Sequence, residues 1–448
     1  MKKDLTSGNI TKTLLAFAGP MIIGNLLQQV YNIADTLIVG RCLGENALAA
    51  VGSTYTLTTF LYSIIIGLCM GGGALISYCC GEKNMQKMRS CVNISFVLIC
   101  AVAAAAEIIT LCTTSGILRL LRTPANIMGM TEDYVKIILS GIIFIFLCNF
   151  YAYMLRGVGN SIIPLIFLGA ASVINIILDI VFVVYCDMGV KGAAYATLIA
   201  QAFSGAGLAV YTLIKEKDLR ISLKGMRFNA GEVIEVLRMT FAASVQQSVM
   251  NFGILMIQGL VNSFGTTVMA AFTVAVKIDT IAYMPAQEFG NAFSLFISQN
   301  FGAHKHDRIK ECVKRSVKLT SVFCIIVSAA VVVFSEQLMM IFVKRSETDI
   351  IHTGVQYLVT EGSFYVGIGL LFLLYGYYRG INKPEMSLVL TVISLGTRVA
   401  LAYFLSLFKA VGVFGIWISI PIGWLLADIV GYLYMKKLSY RQNREIMS

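Results

Sequence analysis

The chain has 448 residues, of which 57% are hydrophobic and only 13% charged, and its formal net charge is +11. That charged share is about half that of an ordinary soluble protein, and the mean hydropathy is +0.79. So much apolar surface excludes a soluble enzyme, a disordered scaffold and a secreted disulfide framework, and leaves an integral membrane protein.

Met1-Lys2-Lys3 precede an apolar run that imitates a signal peptide. The run continues from about Thr13 to Val39 without an early small-residue cleavage site, so it reads as a first membrane helix. A span needs about 20 mostly apolar residues. Candidates follow at 13–39, 46–74, 91–115, 134–155, 162–185 and 191–214, then at 236–262, 268–299, 316–342, 350–378, 386–408 and 412–435. A polar stretch, 215–232, with Lys215, Lys217, Arg220, Lys224 and Arg227, separates the two sets. The expected organisation is an N-lobe at 1–214, a cytoplasmic inter-lobe loop at 215–232 and a C-lobe at 233–448.

The basic residues sit in short loops and read as topology signals, not as a nucleic-acid surface. The N-terminus, the even-numbered loops and the C-terminus carry 24 Lys and Arg against 7 in the odd-numbered loops. This bias places both termini and the 215–232 loop in the cytoplasm. The 11 cysteines show no C-x-x-C spacing and mostly lie in apolar stretches, so neither disulfides nor zinc are expected. His304 and His306 share a basic loop and read as solvated.

The two halves resemble each other. Ile76-Ser77, Gly81 and Cys91 match Ile297-Ser298, Gly302 and Cys312 at an offset of 221. Gln28, Asn32 and Gly40 match Gln247, Asn251 and Gly259 at 219. Arg156-Gly157 matches Arg379-Gly380, and Gly189-Val190-Lys191-Gly192 matches Gly412-Val413-Phe414-Gly415, both at 223. Each half holds six spans, an even number, so the copies enter the membrane the same way round. Paired repeats around a site are a transporter architecture.

A charge in the hydrocarbon core costs roughly 2.5–3.5 kcal/mol on insertion scales, so ionisable residues in spans are functional candidates first. The sharpest are Asp35 in span 1 and Asp179 in span 5. Gln28, Tyr31 and Asn32 share a helical face with Asp35, and Asn175 lies one turn before Asp179. Asn149 and Thr197 are polar points in spans 4 and 6. Two carboxylates with amide and hydroxyl oxygens form a hard-ligand set that suits Na⁺. It suits a proton equally, which a desolvated carboxylate pair shares. At the matching positions the second half has Ile254 for Asp35, Ala402 for Asp179, Ile420 for Thr197 and Arg398 for Asn175. It keeps a polar face at Gln247, Asn251 and Gln258, so coupling chemistry is expected in the first half. Lys277 and Asp279 are expected to neutralise one another. Glu107, Glu288, Glu361, Arg398 and Asp428 have no partner legible in the sequence. Pro20 inside span 1, about four turns from Asp35, should kink that helix. Gly67-x-x-x-Gly71 permits a close helix contact.

These residues resemble a known family, the multidrug and toxic compound extrusion (MATE) family of cation-coupled efflux antiporters. The likeness spans essentially the whole chain. It rests on Pro20, on Gln28-x-x-Tyr31-x-x-x-Asp35-Thr36-x-x-Val39-Gly40 and on Leu48-Ala49-Ala50-Val51-Gly52. It rests also on Leu155-Arg156-Gly157-Val158-Gly159-Asn160 and on Gly189-Val190-Lys191-Gly192-Ala193-Ala194-Tyr195-Ala196-Thr197. The resemblance implies an all-α integral membrane protein, with twelve transmembrane helices in two pseudo-symmetric six-helix lobes forming a V around a central cavity. It is strongest to the archaeal and DinF-like branch, which implies a coupling site in the first lobe at Asp35, Asp179, Asn175, Asn149 and Thr197. Gln28, Tyr31 and Asn32 then stand beside that site, and Pro20 is the hinge of helix 1. Another branch uses an acid within span 7, where this chain has only Glu232 and Glu235 at the cytoplasmic start.

The expected function is a multidrug efflux antiporter in the inner membrane of a prokaryote. It would export small organic cations or amphipathic drugs in exchange for H⁺ or Na⁺, as a monomer in the lipid bilayer, without a cofactor or a transition metal. The alternative is a flippase for a lipid or a lipid-linked oligosaccharide. That cargo would want basic residues for pyrophosphate, and Arg398 is the one obvious candidate. An intramembrane enzyme would need clustered Asp-rich motifs or a His with a nucleophile in a span, and the sequence has neither.

Overall fold

The computed structural model describes residues 3–120, 123–221, 229–408 and 410–447. Lys224 and Arg227 of the expected loop, Met1-Lys2 and the Ile254 side chain lie outside the described residues. Among the described residues every regular element is helical. The hydrocarbon core dictates this, because a helix satisfies its backbone polar groups internally.

The elements are α1 (Ile10–Leu43), α2 (Glu45–Glu82), α3 (Met85–Leu120), α4 (Met128–Leu139), α5 (Ile142–Gly157) and α6 (Ile162–Asp179). A π-helical turn, Ile180–Tyr185, continues α6 and leads to α7 (Gly189–Lys215). Then come α8 (Ala230–Asn262), α9 (Thr266–Gly302), α10 (His306–Val333), α11 (Ser335–Met340), α12 (Thr348–Gly362), α13 (Tyr365–Gly380), α14 (Pro384–Ser406) and α15 (Phe414–Met447). Among the described residues nine helices are long and apolar enough to cross a membrane, and two more spans are bent pairs. The pairs are α4–α5, bent by 41°, and α12–α13, bent by 52°. The remaining expected span is α8, whose 33 residues are long enough but begin with Glu232, Glu235 and Arg238. Span 9, expected at 316–342, begins ten residues earlier at His306 and ends in the short α11. Helix α1 runs through Pro20 as one element.

The bends are repaired by side chains and turns. Where α5 begins, the Ile143 N–H has no partner within its own helix. It donates to Glu107 Oε2 of α3 at 3.0 Å. Glu107 is thus an intramembrane acid with a structural role: it caps a broken helix.

The repeat is written in the backbone. Left-handed residues fall in matched pairs: Gly44 (φ 81°) with Gly265 (φ 99°), Lys83 with His304 (both φ 56°), Gly159 (φ 85°) with Asn382 (φ 60°), and Gly189 (φ 60°) with Gly412 (φ 53°). The turns after α5 and α13 repeat their bonds as well. Asn160 N–H donates to Leu155 O at 2.8 Å and Lys383 N–H to Tyr378 O at 2.8 Å. Among the described residues the π-helical turn has no counterpart, since α14 stays α-helical to Ser406.

The chain forms two compact units. The first comprises Met1–Gly8, Lys12–Ser248 and Ser298–His304, and the second Asn9–Thr11, Val249–Ile297 and Lys305–Ser448. The first unit therefore includes the first half of α8 and the last turn of α9. Helix α2 approaches α8 at Gly67, where a Cβ would come 2.5 Å from Ser244 Cα, and at Gly71, where it would strike the Met239 carbonyl. Ser244 Oγ donates to Ile64 O at 3.0 Å and Ser298 Oγ to Ala74 O at 2.6 Å. Lys87 pairs with Glu235 at 3.0 Å, and Ser90 bonds Glu232. Buried Leu5 donates its N–H to Gln299 Oε1 at 2.8 Å, and its carbonyl accepts from Asn300 Nδ2 at 3.1 Å. The core holds Phe96, Phe146, Phe150 and Tyr151, with successive ring centroids 5.2–5.6 Å apart.

The second unit centres on Trp417, stacked on Phe272 at 5.5 Å and met edge-on by Tyr357 at 5.0 Å. Large apolar side chains also cover the outside, among them Ile108, Ile326 and Leu425. In lipid such exposure needs no compensation.

Four variants check these packing claims by thermal unfolding in detergent. Glu107→Ala should lower stability by about 1–3 kcal/mol, the usual penalty for an orphaned buried donor, and Glu107→Gln should restore most of it. Gly71→Val should destabilise by about 1–3 kcal/mol through overpacking against α8. Gly116→Ala, whose new Cβ meets nothing within 4 Å, should be neutral or stabilising.

Candidate functional site

Helices α1, α2, α4, α6 and α7 bring a polar pocket together inside the first unit. Asp179 is the last residue of α6 and is fully buried, and the π-helical turn begins at the next residue. Such turns often mark functional positions, because the widened turn re-aims side chains. Asp35 of α1 is half-buried and lies within electrostatic reach of Asp179. Each acid keeps one oxygen, Oδ1, without a hydrogen-bond partner.

Asn175, 1% exposed, sits one turn before Asp179. In one orientation its amide donates to Thr197 Oγ1 at 3.3 Å. Turned over, it donates to Asp179 Oδ2 at 3.2 Å while its carbonyl accepts the Thr197 N–H at 3.3 Å. The second orientation satisfies both neighbours. Tyr31 lies beside Gln28 and within reach of Asp35, Cys148 and Asp179.

The remaining expected residues are placed less centrally. Asn149 is half-buried on α5, and its amide donates to Ile145 O of its own helix at 2.9 Å. Gln28 and Asn32 are exposed on α1, and Asn32 O accepts from Thr36 Oγ1 at 2.8 Å. Gln247, Asn251 and Gln258 are half-buried along α8, the first in the first unit and the others in the second. Gln258 Nε2 donates to Asn262 Oδ1 at 2.9 Å.

Three side chains at the pocket were not singled out by sequence reasoning: Tyr62, Tyr134 and Gln201. Tyr134 lies within reach of Asp35, Asp179, Tyr62 and Tyr31. Tyr62 stands by Gln201 and Tyr31. A signal existed, because Tyr62 and Tyr134 recur in the repeat as Tyr283 and Tyr357, at offsets of 221 and 223.

One sequence expectation is corrected. Lys277 and Asp279 do not neutralise each other: residues two apart on a helix point to different faces. Lys277 is exposed, whereas Asp279 is buried and faces Glu361 and Arg398. Glu288 accepts from Asn291 Nδ2 at 3.1 Å, and Asn291 Oδ1 accepts from Arg379 at 3.0 Å, so both charged residues are absorbed in one structural network. The two acids of α8, Glu232 and Glu235, are taken up by Ser90 and Lys87 of α3.

Chemically, the pocket offers two carboxylates of unfilled hydrogen-bonding capacity, an amide and hydroxyls. It can hold a proton or a small hard monovalent cation, and it is built from oxygens, without a thiolate pair or an imidazole.

Comparison with known proteins matches this architecture. A family model, MatE, matches residues 20–181 and again residues 242–404. The chain is 31% identical over 435 residues to a probable multidrug resistance protein YpnP of Bacillus subtilis (strain 168), covering 97% of this chain and 96% of that protein. It is 26% identical over 442 residues to a probable multidrug resistance protein NorM of Thermotoga maritima, covering 96% and 92%. Among solved structures, a MATE protein in a bent conformation superposes with a TM-score of 0.92 at 24% identity, covering 99% of this chain and 98% of that one. An outward-facing MATE transporter of the MOP superfamily also gives 0.92 at 24% identity, covering 97% and 96%. The fold is therefore that of these structures.

Asn175→Ala should lower the thermal stability by about 1–3 kcal/mol, since it strips a buried carboxylate of its amide partner. Thr197→Val keeps the volume and should cost less. Equal effects of the two would contradict the placement of the amide against Asp179.

Proposed function

The chain belongs to the MatE family of membrane transporters, and on that premise we propose that it is a multidrug efflux antiporter. It expels amphipathic, mostly cationic organic compounds in exchange for H⁺ or Na⁺ by alternating access. The observation that carries the coupling is the meeting of Asp35 and Asp179 in one pocket with Asn175, Thr197 and Tyr31. Two carboxylates in a low-dielectric setting repel each other, and one bound cation relieves that repulsion. Cation uptake and drug uptake then compete, and the gradient of one drives the other. Each elementary charge moved down 100 mV supplies about 2.3 kcal/mol, enough for a modest gradient of drug.

The bias of Lys and Arg towards one set of loops, 24 against 7, supports cytoplasmic termini in an inner membrane. Nothing in the pocket calls for a cofactor, and a monomer suffices because the pocket is complete within one unit. A flippase for a lipid-linked pyrophosphate is less well supported. Arg398, its one basic candidate, is 9% exposed and faces Asp279 and Glu361.

Reconstituted in liposomes, the protein should move a fluorescent organic cation such as ethidium under an imposed pH gradient or Na⁺ gradient, tested separately. Asp35→Asn and Asp179→Asn should each abolish this movement while the protein inserts normally. Unimpaired transport in both variants would sink the site assignment. Silence of the intact protein under either gradient would point to a lipid-linked cargo.

A further inference from the structure

Lys310, Lys314 and Lys318 belong to the basic residues that read as loop signals in the sequence, yet all three are helical, because α10 begins at His306. A helix turns a basic stretch into a pattern. Residues four apart share a face and lie about 6 Å apart along the axis, so these lysines form a ladder about 12 Å long. Each of them is exposed.

Their neighbours leave the ladder uncompensated. Glu311 is taken up by Arg315 at 2.7 Å, and Arg315 also donates to Thr11 Oγ1 at 3.3 Å. Asp307 reaches Lys310 only at 4.0 Å, from a side chain fully open to solvent. Among the described residues Lys314 and Lys318 have no ion pair. Like charges four apart on a helix repel.

The same face continues into lipid. One turn beyond Lys318 comes Val322 and then Ile325, both at least half exposed. An exposed apolar stripe of a spanning helix lies against acyl chains. Lysines one turn before it stand at headgroup depth, where the stem stays in the apolar layer and the ammonium in the polar one.

The repeat shows that the fold does not require this ladder. At the offset of 221, Lys310, Lys314 and Lys318 match Arg89, Asn93 and Val97 of α3. Arg89 is held by Asp218 at 2.8 Å, and Asn93 is buried. Helix α3 thus carries one paired cation where α10 carries three.

We propose that the Lys310–Lys314–Lys318 face of α10 binds an anionic phospholipid, with its phosphate between the ammonium groups and an acyl chain along Val322 and Ile325. Charge complementarity selects this occupant, since basic clusters beside a span attract acidic headgroups. The apolar continuation of the face suits a molecule that joins a phosphate to acyl chains. A zwitterionic headgroup brings its own cation and relieves less of the repulsion. The site is separate from the coupling pocket and does not depend on it.

The full chain is purified in detergent, and bound lipid is counted by native mass spectrometry during titration with dioleoylphosphatidylglycerol or dioleoylphosphatidylcholine. The intact protein should hold the phosphatidylglycerol more tightly. Lys310→Gln, Lys314→Gln and Lys318→Gln combined should weaken that binding by about 10- to 100-fold and leave phosphatidylcholine unaffected. Gln has nearly the helix propensity of Lys, so the exposed face should fold unchanged. Should the triple variant fail to elute as one species, Lys314→Gln and Lys318→Gln singly, each about fivefold weaker, decide the matter. The three Lys→Arg changes should preserve binding. Lys215→Gln, Lys436→Gln and Lys437→Gln combined remove the same charge from exposed positions elsewhere. An equal loss in that variant would show a response to net charge alone and overturn the site. Equal retention of the two lipids by the intact protein would overturn it too. Release of the phosphatidylglycerol by inorganic phosphate would do the same, in favour of a soluble anion.

Discussion

Inside a bilayer there is no water to rescue a polar group, and every feature of this chain follows from that. A backbone N–H or carbonyl in hydrocarbon must be paired within the protein, which leaves helices as the spanning element. The informative places are where the helical ladder fails. At the α4–α5 break the loss is mended by Glu107, reaching across from α3 to the Ile143 N–H. At the end of α6 the ladder widens into a π-helical turn, and the residue at that edge is Asp179. At the α12–α13 bend the acid beside the break is Glu361. At the first of these places the acid and the break supply what each other lacks. The break leaves the Ile143 N–H without a helical partner, and the Glu107 carboxylate needs a donor.

The two halves share a scaffold and differ in chemistry. Four pairs of left-handed residues recur at nearly one offset, including Lys83 with His304 and Gly159 with Asn382. A tight turn demands its backbone angle whatever the function, so these positions persist even where the residue type changes. Side chains in the pockets are under no such geometric constraint. Arg398 stands at the position that matches Asn175 in the repeat, and Ala402 at the position that matches Asp179. The departure extends to the backbone: among the described residues the π-helical turn Ile180–Tyr185 has no match in the second half.

Spans were legible in the sequence because hydropathy integrates over about 20 residues and tolerates local irregularity. Breaks were not. The π-helical turn is an unbroken apolar run from Ile180 to Tyr185, with neither Gly nor Pro to announce it. The Asp35–Asp179 pocket was legible, because two acids among apolar spans stand out by cost alone. Tyr31 was legible with it, but Tyr62 and Tyr134 were not, since a membrane protein holds many aromatic residues and only the repeat distinguishes them. The grouping of Asp279 with Glu361 was hidden for a different reason. Its members are 82 residues apart in the sequence, while the neighbouring Lys277 offered a nearer but geometrically wrong partner.

The packing of α1 explains how a charge in the first pocket can do mechanical work under the antiport reading. Its buried residues are Leu14, Phe17, Ala18, Met21, Gly24 and Val39. Between Gly24 and Val39 no side chain is fully buried, and Asp35 lies in that stretch. Val30 and Leu37 there are more than half exposed, at 57% and 52%. Pro20 removes one backbone hydrogen bond just before it. Asp179, by contrast, is fully buried at the junction of α6 and the π-helical turn. A change in repulsion between the two acids therefore acts on one fixed and one weakly held partner, and the displacement falls on α1. A ligand shifts a conformational equilibrium only by its differential affinity for the two states. On the proposed antiport, that difference would have a physical source: a cation held by the two carboxylates would stabilise the arrangement that keeps Asp35 within electrostatic reach of Asp179 and would have no such effect once they separate.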